Sequence, residues 1–160
     1  MNLHIEHTTI HLSVPSLASP ILGELATAEF VTPAAGRQPP AHGELWPGQG
    51  GHFICTLPAL MGLPARHLIA ATKDGEALTF GTTEDVDGAS SRIDGPGNTR
   101  ALVARGGHPA AAFASNFEAD GHSDFHLPSQ LELLMACICA PQLFQKAGWY
   151  WSSTQHSRHY

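Results

Sequence analysis

Three residues in the C-terminal third of the chain have the types and spacing of metal ligands. His122, Asp124 and His126 form an H-x-D-x-H pattern, and in an extended segment alternate side chains lie on one face. Imidazole and carboxylate groups are zinc ligands, although zinc also needs a fourth protein ligand or a water. The alternative is structural: Asp124 orients the turn before Leu127 and Pro128, and the histidines lie on the surface or form hydrogen bonds. We favour the structural interpretation, and we expect no metal and no cofactor.

Two other groups of residues have chemical character but lack the spacing of a known site. The acidic loop at residues 82–97 lacks the D-x-[DN]-x-[DN]-G pattern of an EF-hand calcium loop. Residues 152–154 carry hydroxyl groups close to His156, but neighbouring strand residues face opposite ways and there is no G-x-S-x-G turn. We therefore interpret the loop as solvated, and we expect that the protein is not an enzyme.

The cysteines and the overall charge exclude several classes of protein. Three cysteines without a regular spacing do not make a disulfide framework. Cys137 and Cys139 have apolar neighbours, which predicts unreactive thiols in the core. The formal net charge is −6 and Lys and Arg form no cluster, so we expect no nucleic-acid partner. No apolar run approaches the ~18 residues of a membrane span, so we expect no membrane partner.

Length and composition predict one turn-rich domain behind an N-terminal extension. The chain has 160 residues with 16 Gly and 12 Pro, which suits a single core with many turns. We expect residues 1–36 to form an N-terminal strand and a Pro-rich linker, and residues 37–160 to form the domain. The apolar alternation slips within residues 3–14, which predicts a bulged strand or a short hairpin. Further strands are expected at 52–57, 66–72, 77–81 and 148–154, and helices at 98–105, at 108–117 and within 19–31.

Residues 129–141 carry the strongest helix signals in the sequence. Ser129 and Glu132 have the S-x-x-E spacing of a capping box, and Pro141 ends the helix. Apolar residues at i, i+3, i+4 and i+7 predict one buried stripe. These residues are Leu131, Leu134, Met135 and Ile138.

Three smaller expectations concern side-chain placement. Asn98 is expected to cap the helix at 98–105. Trp151 is expected in the core, with Trp149 partly buried on the same face. Alternation within 52–57 places three residues on one face of that strand: Phe53, Cys55 and Leu57.

An ordered set of short motifs runs through residues 43–160. LPSQLEL at 127–133 is followed by YWSS at 150–153. Upstream stand WPGQGG at 46–51, HLIAA at 67–71, DGPGNTRALVA at 94–104 and HPAA at 108–111. Together these motifs resemble a bacterial and phage domain family of unknown function that also forms the C-terminal domain of a collagen-like adhesin. The resemblance implies a C-type-lectin-like fold: α+β and loop-rich, with a twisted antiparallel sheet and two or three short helices.

The sequence departs from the pattern of that family after the YWSS motif. Family members usually continue through an A-W-x-x-x-F-x-x-G segment and a final Arg-containing strand, whereas this sequence stops at QHSRHY, residues 155–160. Without those strands a sheet edge would be exposed. Three explanations stay open: an artificially shortened chain, a natural truncation, or a remodelled sheet. In the last case the strand within residues 3–14 fills the vacant edge, in this chain or in a neighbouring copy.

The resemblance implies recognition rather than catalysis. We expect a non-catalytic binding module of phage or prophage origin that presents loop and C-terminal residues to a glycan or a protein ligand. It is expected in the cytoplasm of the bacterial host, because the N-terminus lacks the features of a signal peptide, or on the virion as a homo-oligomer, a dimer or trimer. The alternative is a soluble intracellular accessory or inhibitor protein that binds a host protein. The expected ligand-binding residues are Tyr150, Gln155, His156, Arg158, His159 and Tyr160.

Overall fold

The structure is a computed structural model that describes residues 7–9, 12–13 and 38–156. Its elements give the predicted α+β class. The helix predicted within 19–31 lies outside the described residues. The strands are β1 (His7–Thr9), β2 (Leu12–Ser13), β3 (Leu45–Trp46), β4 (Gly51–Leu57), β5 (Arg66–Ala71), β6 (Gly75–Glu76) and β7 (Trp149–Tyr150). The helices are α1 (Gly95–Arg105), α2 (Pro109–Ser115) and α3 (Gln130–Cys139), followed by a short 3-10 helix at Pro141–Leu143.

The strands form two sheets, and the N-terminal segment contributes to both. One sheet is antiparallel with the order β2-β5-β4-β3, and the other has the order β6-β1-β7. β1 runs antiparallel to β6 and parallel to β7, with His7 opposite Trp149. The predicted N-terminal strand is therefore broken into two strands that pair with different sheets and not with each other. β1 is the central strand of the second sheet and lies beside β7, the last described strand.

A β-bulge in β4 changes which side chains face the core. Ile54 is the extra residue between Phe53 and Cys55. Cys55 and Leu57 pack toward α3, whereas Phe53 packs with Trp46 on the other side. The predicted single face of Phe53, Cys55 and Leu57 is therefore wrong, because one inserted residue reverses the alternation of a strand.

The helix ends follow the sequence signals in two helices and differ from them in one. α3 has the predicted capping box: Ser129 Oγ accepts the N–H of Glu132, and the Glu132 carboxylate accepts the N–H of Ser129. α2 begins at Pro109 as predicted. α1 begins earlier than predicted, because Asp94 caps it by accepting the N–H of Gly97 at 2.8 Å. Asn98 lies inside α1 and is buried.

The predicted buried stripe of α3 is wrong. Leu134 and Ile138 are 54% and 64% exposed, while Glu132 and Ala136 are buried. α3 is turned so that the Glu132 carboxylate reaches the guanidinium of Arg66 on β5, at 3.2 Å. Leaving such a buried charge without its partner costs about 3–5 kcal/mol, which is comparable to the ~1.5–3 kcal/mol that burial of each of the two apolar side chains would contribute. The apolar pattern alone therefore does not decide the orientation of α3.

Three further expectations are wrong for local reasons. Residues 77–81 form no strand, because Ala77 has φ +52°, which interrupts an extended chain; the strand lies at β6 instead. Cys137 is exposed, since the orientation of α3 that buries Ala136 turns its neighbour outward. Trp149 is 64% exposed, because β7 is short and Tyr150, not Trp149, packs against the core beneath α3.

Candidate functional site

A cleft of about 570 Å³ separates the loop at residues 80–85 from the C-terminal segment at 150–156. Three of the predicted ligand-binding residues line it, namely Tyr150, Gln155 and His156. The other three, Arg158, His159 and Tyr160, lie outside the described residues. The cleft also contains Phe80, Trp151, Thr82, Thr83, Asp85 and Ser152.

The aromatic rings of the cleft are fixed by contacts on their other sides. Trp151 Nε1 donates to a backbone carbonyl at 2.9 Å, and its ring centroid lies 5.6 Å from that of Phe80. The Tyr150 hydroxyl accepts the N–H of Gln145 at 2.7 Å, and its ring packs edge-on to Phe144 at 4.8 Å. Burial raises the pKa of Tyr150, so its phenol stays protonated at neutral pH. Rings held in this way lose little conformational freedom when a ligand binds.

Hydrogen bonds attach the C-terminal wall of the cleft to the acidic loop. Gln155 Oε1 accepts the N–H of Val86 at 2.6 Å, and its Nε2 donates to the carbonyl of Glu84 at 3.0 Å. His156 Nε2 lies 3.3 Å from Nη2 of Arg92. Both ends of the Gln155 amide are therefore engaged within the protein, so this side chain shapes the cleft wall.

Asn98 joins three segments of the chain behind the cleft. Its Nδ2 donates to the carbonyl of Ser91 at 2.6 Å and to Ser153 Oγ at 3.3 Å. Ser153 in turn donates its backbone N–H to the carbonyl of Pro128 at 2.7 Å. Asn98, Ser153 and Pro128 are all buried. This network fixes the C-terminal segment against α1 and against the residues that precede α3.

The LPSQLEL motif contributes to a buried cluster of charges. Glu132 Oε1 lies 3.2 Å from Arg66 Nη2, and Oε2 lies 3.4 Å from His126 Nε2. Oε2 also accepts the N–H of Ser129 at 2.8 Å. Burial opposes ionisation of Glu132, but the interactions with His126 and the hydrogen bonds of Ser129 outweigh it and lower the pKa to about 2. A cluster so completely enclosed has a structural role.

The H-x-D-x-H residues are not gathered around one point. His126 is buried beside Glu132, whereas His122 Nε2 lies 3.1 Å from the carbonyl of Gly48. Asp124 Oδ1 is 3.9 Å from His122 Nδ1, and its side chain is 41% exposed. Within the part of the chain that the structure describes, no three His, Cys, Asp or Glu side chains are placed to hold a metal ion.

Sequence reasoning missed the opposite wall of the cleft. Residues 77–81 were expected to form a strand and residues 82–97 a solvated loop, so Phe80, Thr83 and Asp85 were not candidates. The sequence offers only a glycine at this point, Gly81. In the structure its φ is +130° and a Cβ there would lie 2.3 Å from the carbonyl oxygen of Gly107, so the glycine allows two chain segments to approach closely.

The chain matches no protein-family model, no curated protein and no solved structure. Among the described helices, none is long and apolar enough to cross a membrane.

Proposed function

We propose that this protein is a non-catalytic recognition module of phage or prophage origin that binds a glycan or a protein ligand in the cleft. The observation that carries the proposal is that Tyr150, Gln155 and His156, expected as contacts from the resemblance, all line the same cleft. Fixed aromatic rings beside exposed hydroxyl groups suit a ligand that stacks on one face and forms hydrogen bonds at its edges.

The proposal includes a C-type-lectin-like fold. Support comes from the α+β composition, the antiparallel sheet and the three short helices. A second support is that the two signature motifs meet, since the Ser153 N–H donates to the carbonyl of Pro128 at 2.7 Å. Residues far apart in sequence thus form one structural unit, which is what a shared family pattern would require.

A second candidate function is that of an accessory or inhibitor protein that binds a host protein. The observation that favours it is the outer face of α3, where Leu134 and Ile138 are 54% and 64% exposed. Their i, i+4 spacing is typical of a helix that lays an apolar face into a groove of its partner. This candidate places recognition on α3 and leaves the cleft without a part in binding.

Affinity capture with a cleft-blocking variant tests the first candidate. The protein is immobilised, and a bacterial envelope fraction and a cytosolic fraction are passed over it at ~150 mM salt, where weak surface attraction is screened. Thr83→Trp fills the cleft, and Ala104→Trp adds the same bulk at an exposed position of α1. We expect the envelope fraction to be retained by the wild type and by Ala104→Trp, and to be lost with Thr83→Trp.

The same experiment includes a variant for the second candidate. Ile138→Arg places a charge on the outer face of α3 without disturbing the core. Loss of one cytosolic protein with Ile138→Arg, together with full retention by Thr83→Trp, would contradict the cleft proposal and favour the second candidate.

A further inference from the structure

The tip of the β4–β5 hairpin, residues 58–65, is apolar and exposed. None of its residues has a polar or charged side chain, and Leu60 and Met61 are 41% and 84% exposed. The tip is held in one shape, because the backbones of Leu60 and Leu63 exchange two hydrogen bonds of 3.0 and 2.9 Å. A projection that is already ordered loses little conformational freedom on binding. An exposed apolar segment of this kind marks an interaction surface.

Met61 is an unfavourable residue for the position that it occupies. Its φ is +46°, in the left-handed region where two-residue turns prefer Asn, Asp or Gly. At the next residue, Gly62, an added Cβ would meet no atom within 4 Å, so the turn projects into open space. The exposed Met61 side chain therefore contributes little packing to its own fold. A flexible, polarisable thioether is instead suited to packing against the surface of a partner.

The exposed side of α3 is a second surface without charge. Glu132, the charged residue of the stretch 130–142, is buried and paired with Arg66. Arg66 is also the first residue after the hairpin tip, so the tip leaves the sheet next to the first turn of α3. The exposed residues of this stretch are all uncharged: Gln130, Leu134, Cys137, Ile138, Pro141 and Gln142.

We infer that a second copy of this chain covers both surfaces. In a two-fold dimer, the hairpin tip of each copy packs against the outer face of α3 of the other copy. Every contact of such an interface is made twice, so one chain supplies both partners: Leu60 and Met61 on the tip, and Leu134 and Ile138 on the helix. The interface shares no residue with the lining of the cleft, so it is independent of ligand recognition there.

The charge of the chain favours a second copy as the partner. Each copy carries a formal net charge of −6, so two copies repel each other least where they meet through uncharged surfaces. The hairpin tip and the exposed residues of α3 contain no charged side chain, so neither surface selects a partner of opposite charge. The core of a homodimer interface is typically apolar and depleted of charged residues, which is the composition of both surfaces.

Sedimentation equilibrium of the full chain tests the dimer, at protein concentrations from about 1 to 300 µM and ~150 mM salt. We expect the wild type to pass from the mass of one chain to that of two within this range. Met61→Asn and Ile138→Asn should each raise the dissociation constant at least about tenfold, because each substitution removes two contacts. The control Val103→Asn, at a 40% exposed position of α1, should change it less than about twofold. Met61→Asn suits its turn, so a loss of the dimer in this variant does not come from unfolding.

A mixture of Met61→Asn and Ile138→Asn tests which surfaces meet. A mixed dimer keeps one contact between an unchanged tip and an unchanged helix face, whereas each variant alone has none. We therefore expect the mixture to dimerise at least about threefold more tightly than either variant alone. A mixture that associates no more tightly than the variants would overturn the inference, as would a dimer that either substitution leaves intact.

A wild type that keeps the mass of one chain up to about 300 µM would also overturn the inference. That result would leave the outer face of α3 free for the host protein of the second candidate function. The capture experiment with Thr83→Trp decides the cleft proposal separately.

Discussion

Replacement of Glu132 by Ala is expected to destabilise the protein by about 3–5 kcal/mol, the cost of removing one partner of a buried ion pair. Glu132 is 0% exposed, and its partner Arg66 is enclosed as well. After the change the Arg66 guanidinium keeps the carbonyl of Ile93, at 2.9 Å, but loses its counter-charge. The N–H of Ser129 also loses its acceptor. Such a loss is a large part of the ~5–15 kcal/mol by which a domain is normally stable.

The pKa of Glu132 reflects contacts of the same carboxylate other than the one with Arg66. Although burial opposes its ionisation, contacts with His126 and Ser129 lower that pKa from 4.5 to about 2. The difference corresponds to about 3 kcal/mol. Because the pKa is lower in the folded state, this stability is fully present above pH ~4.5 and is lost as the pH falls toward 2. The stability of Glu132→Gln should therefore fall much less than that of the wild type between pH ~4.5 and 2.

The loss of stability caused by Glu132→Ala is measured by urea unfolding at pH 7, followed by circular dichroism and tryptophan fluorescence. The control is Glu84→Ala, which breaks the exposed ion pair with Arg105; the Glu84 side chain is 59% exposed, so we expect a change within ~1 kcal/mol. A double replacement, Arg66→Met with Glu132→Leu, should cost far less than Glu132→Ala alone, because no charge is left without a partner. Equal losses for Glu132→Ala and Glu84→Ala would refute the reasoning.

Three further predictions concern stability. Burial raises the pKa of Asp74 to about 6, so the folded state favours the protonated carboxyl group. Its contribution to stability therefore falls as the pH rises from about 4 to 6. In thermal melts Asp74→Asn should be more stable than the wild type by about 1 kcal/mol at pH 8 and equally stable at pH 4. Gly95→Ala would place a Cβ 2.2 Å from Glu132 Oε2 and should lower the free energy of unfolding in urea by about 2–3 kcal/mol. The control Ala104→Gly, at an exposed position of the same helix, should lower it by about 1 kcal/mol. No loss of stability in Gly95→Ala would show that α1 can move away from Glu132. Met61 and Gly62 have φ +46° and +87° and form a two-residue turn of the type that prefers Asn-Gly. Met61→Asn should therefore raise the free energy of unfolding by about 0.5–1 kcal/mol. A loss of stability would contradict this assignment of the turn.

Elements with a local cause were predictable from the sequence, and elements set by distant partners were not. The capping box of Ser129 and Glu132 and the start of α2 at Pro109 depend on residues within one turn, so the sequence contains all that decides them. The orientation of α3 depends on Arg66, more than sixty residues earlier, and apolar spacing carries no information about that partner. The bulge at Ile54 likewise cannot be predicted from the alternation of apolar residues in the strand.

The same distinction between local and distant causes holds for the residues of the candidate site. Tyr150, Gln155 and His156 were expected through the resemblance, because they lie in or directly after the YWSS motif. Phe80 and Asp85 were missed, because only long-range bonds bring their loop to the C-terminal segment. Among these are the bonds that Gln155 makes across 69 residues to Val86 and that Trp151 makes across 73 residues.

Hydrogen–deuterium exchange of the full chain, alone and with the fraction that it retains, tests the central claim most directly. The proposal that the cleft is the recognition site predicts slower exchange in two separate segments, residues 80–85 and residues 150–156, with no change on the outer face of α3. Slower exchange confined to α3 around Leu134 and Ile138, with both cleft segments unchanged, would contradict it.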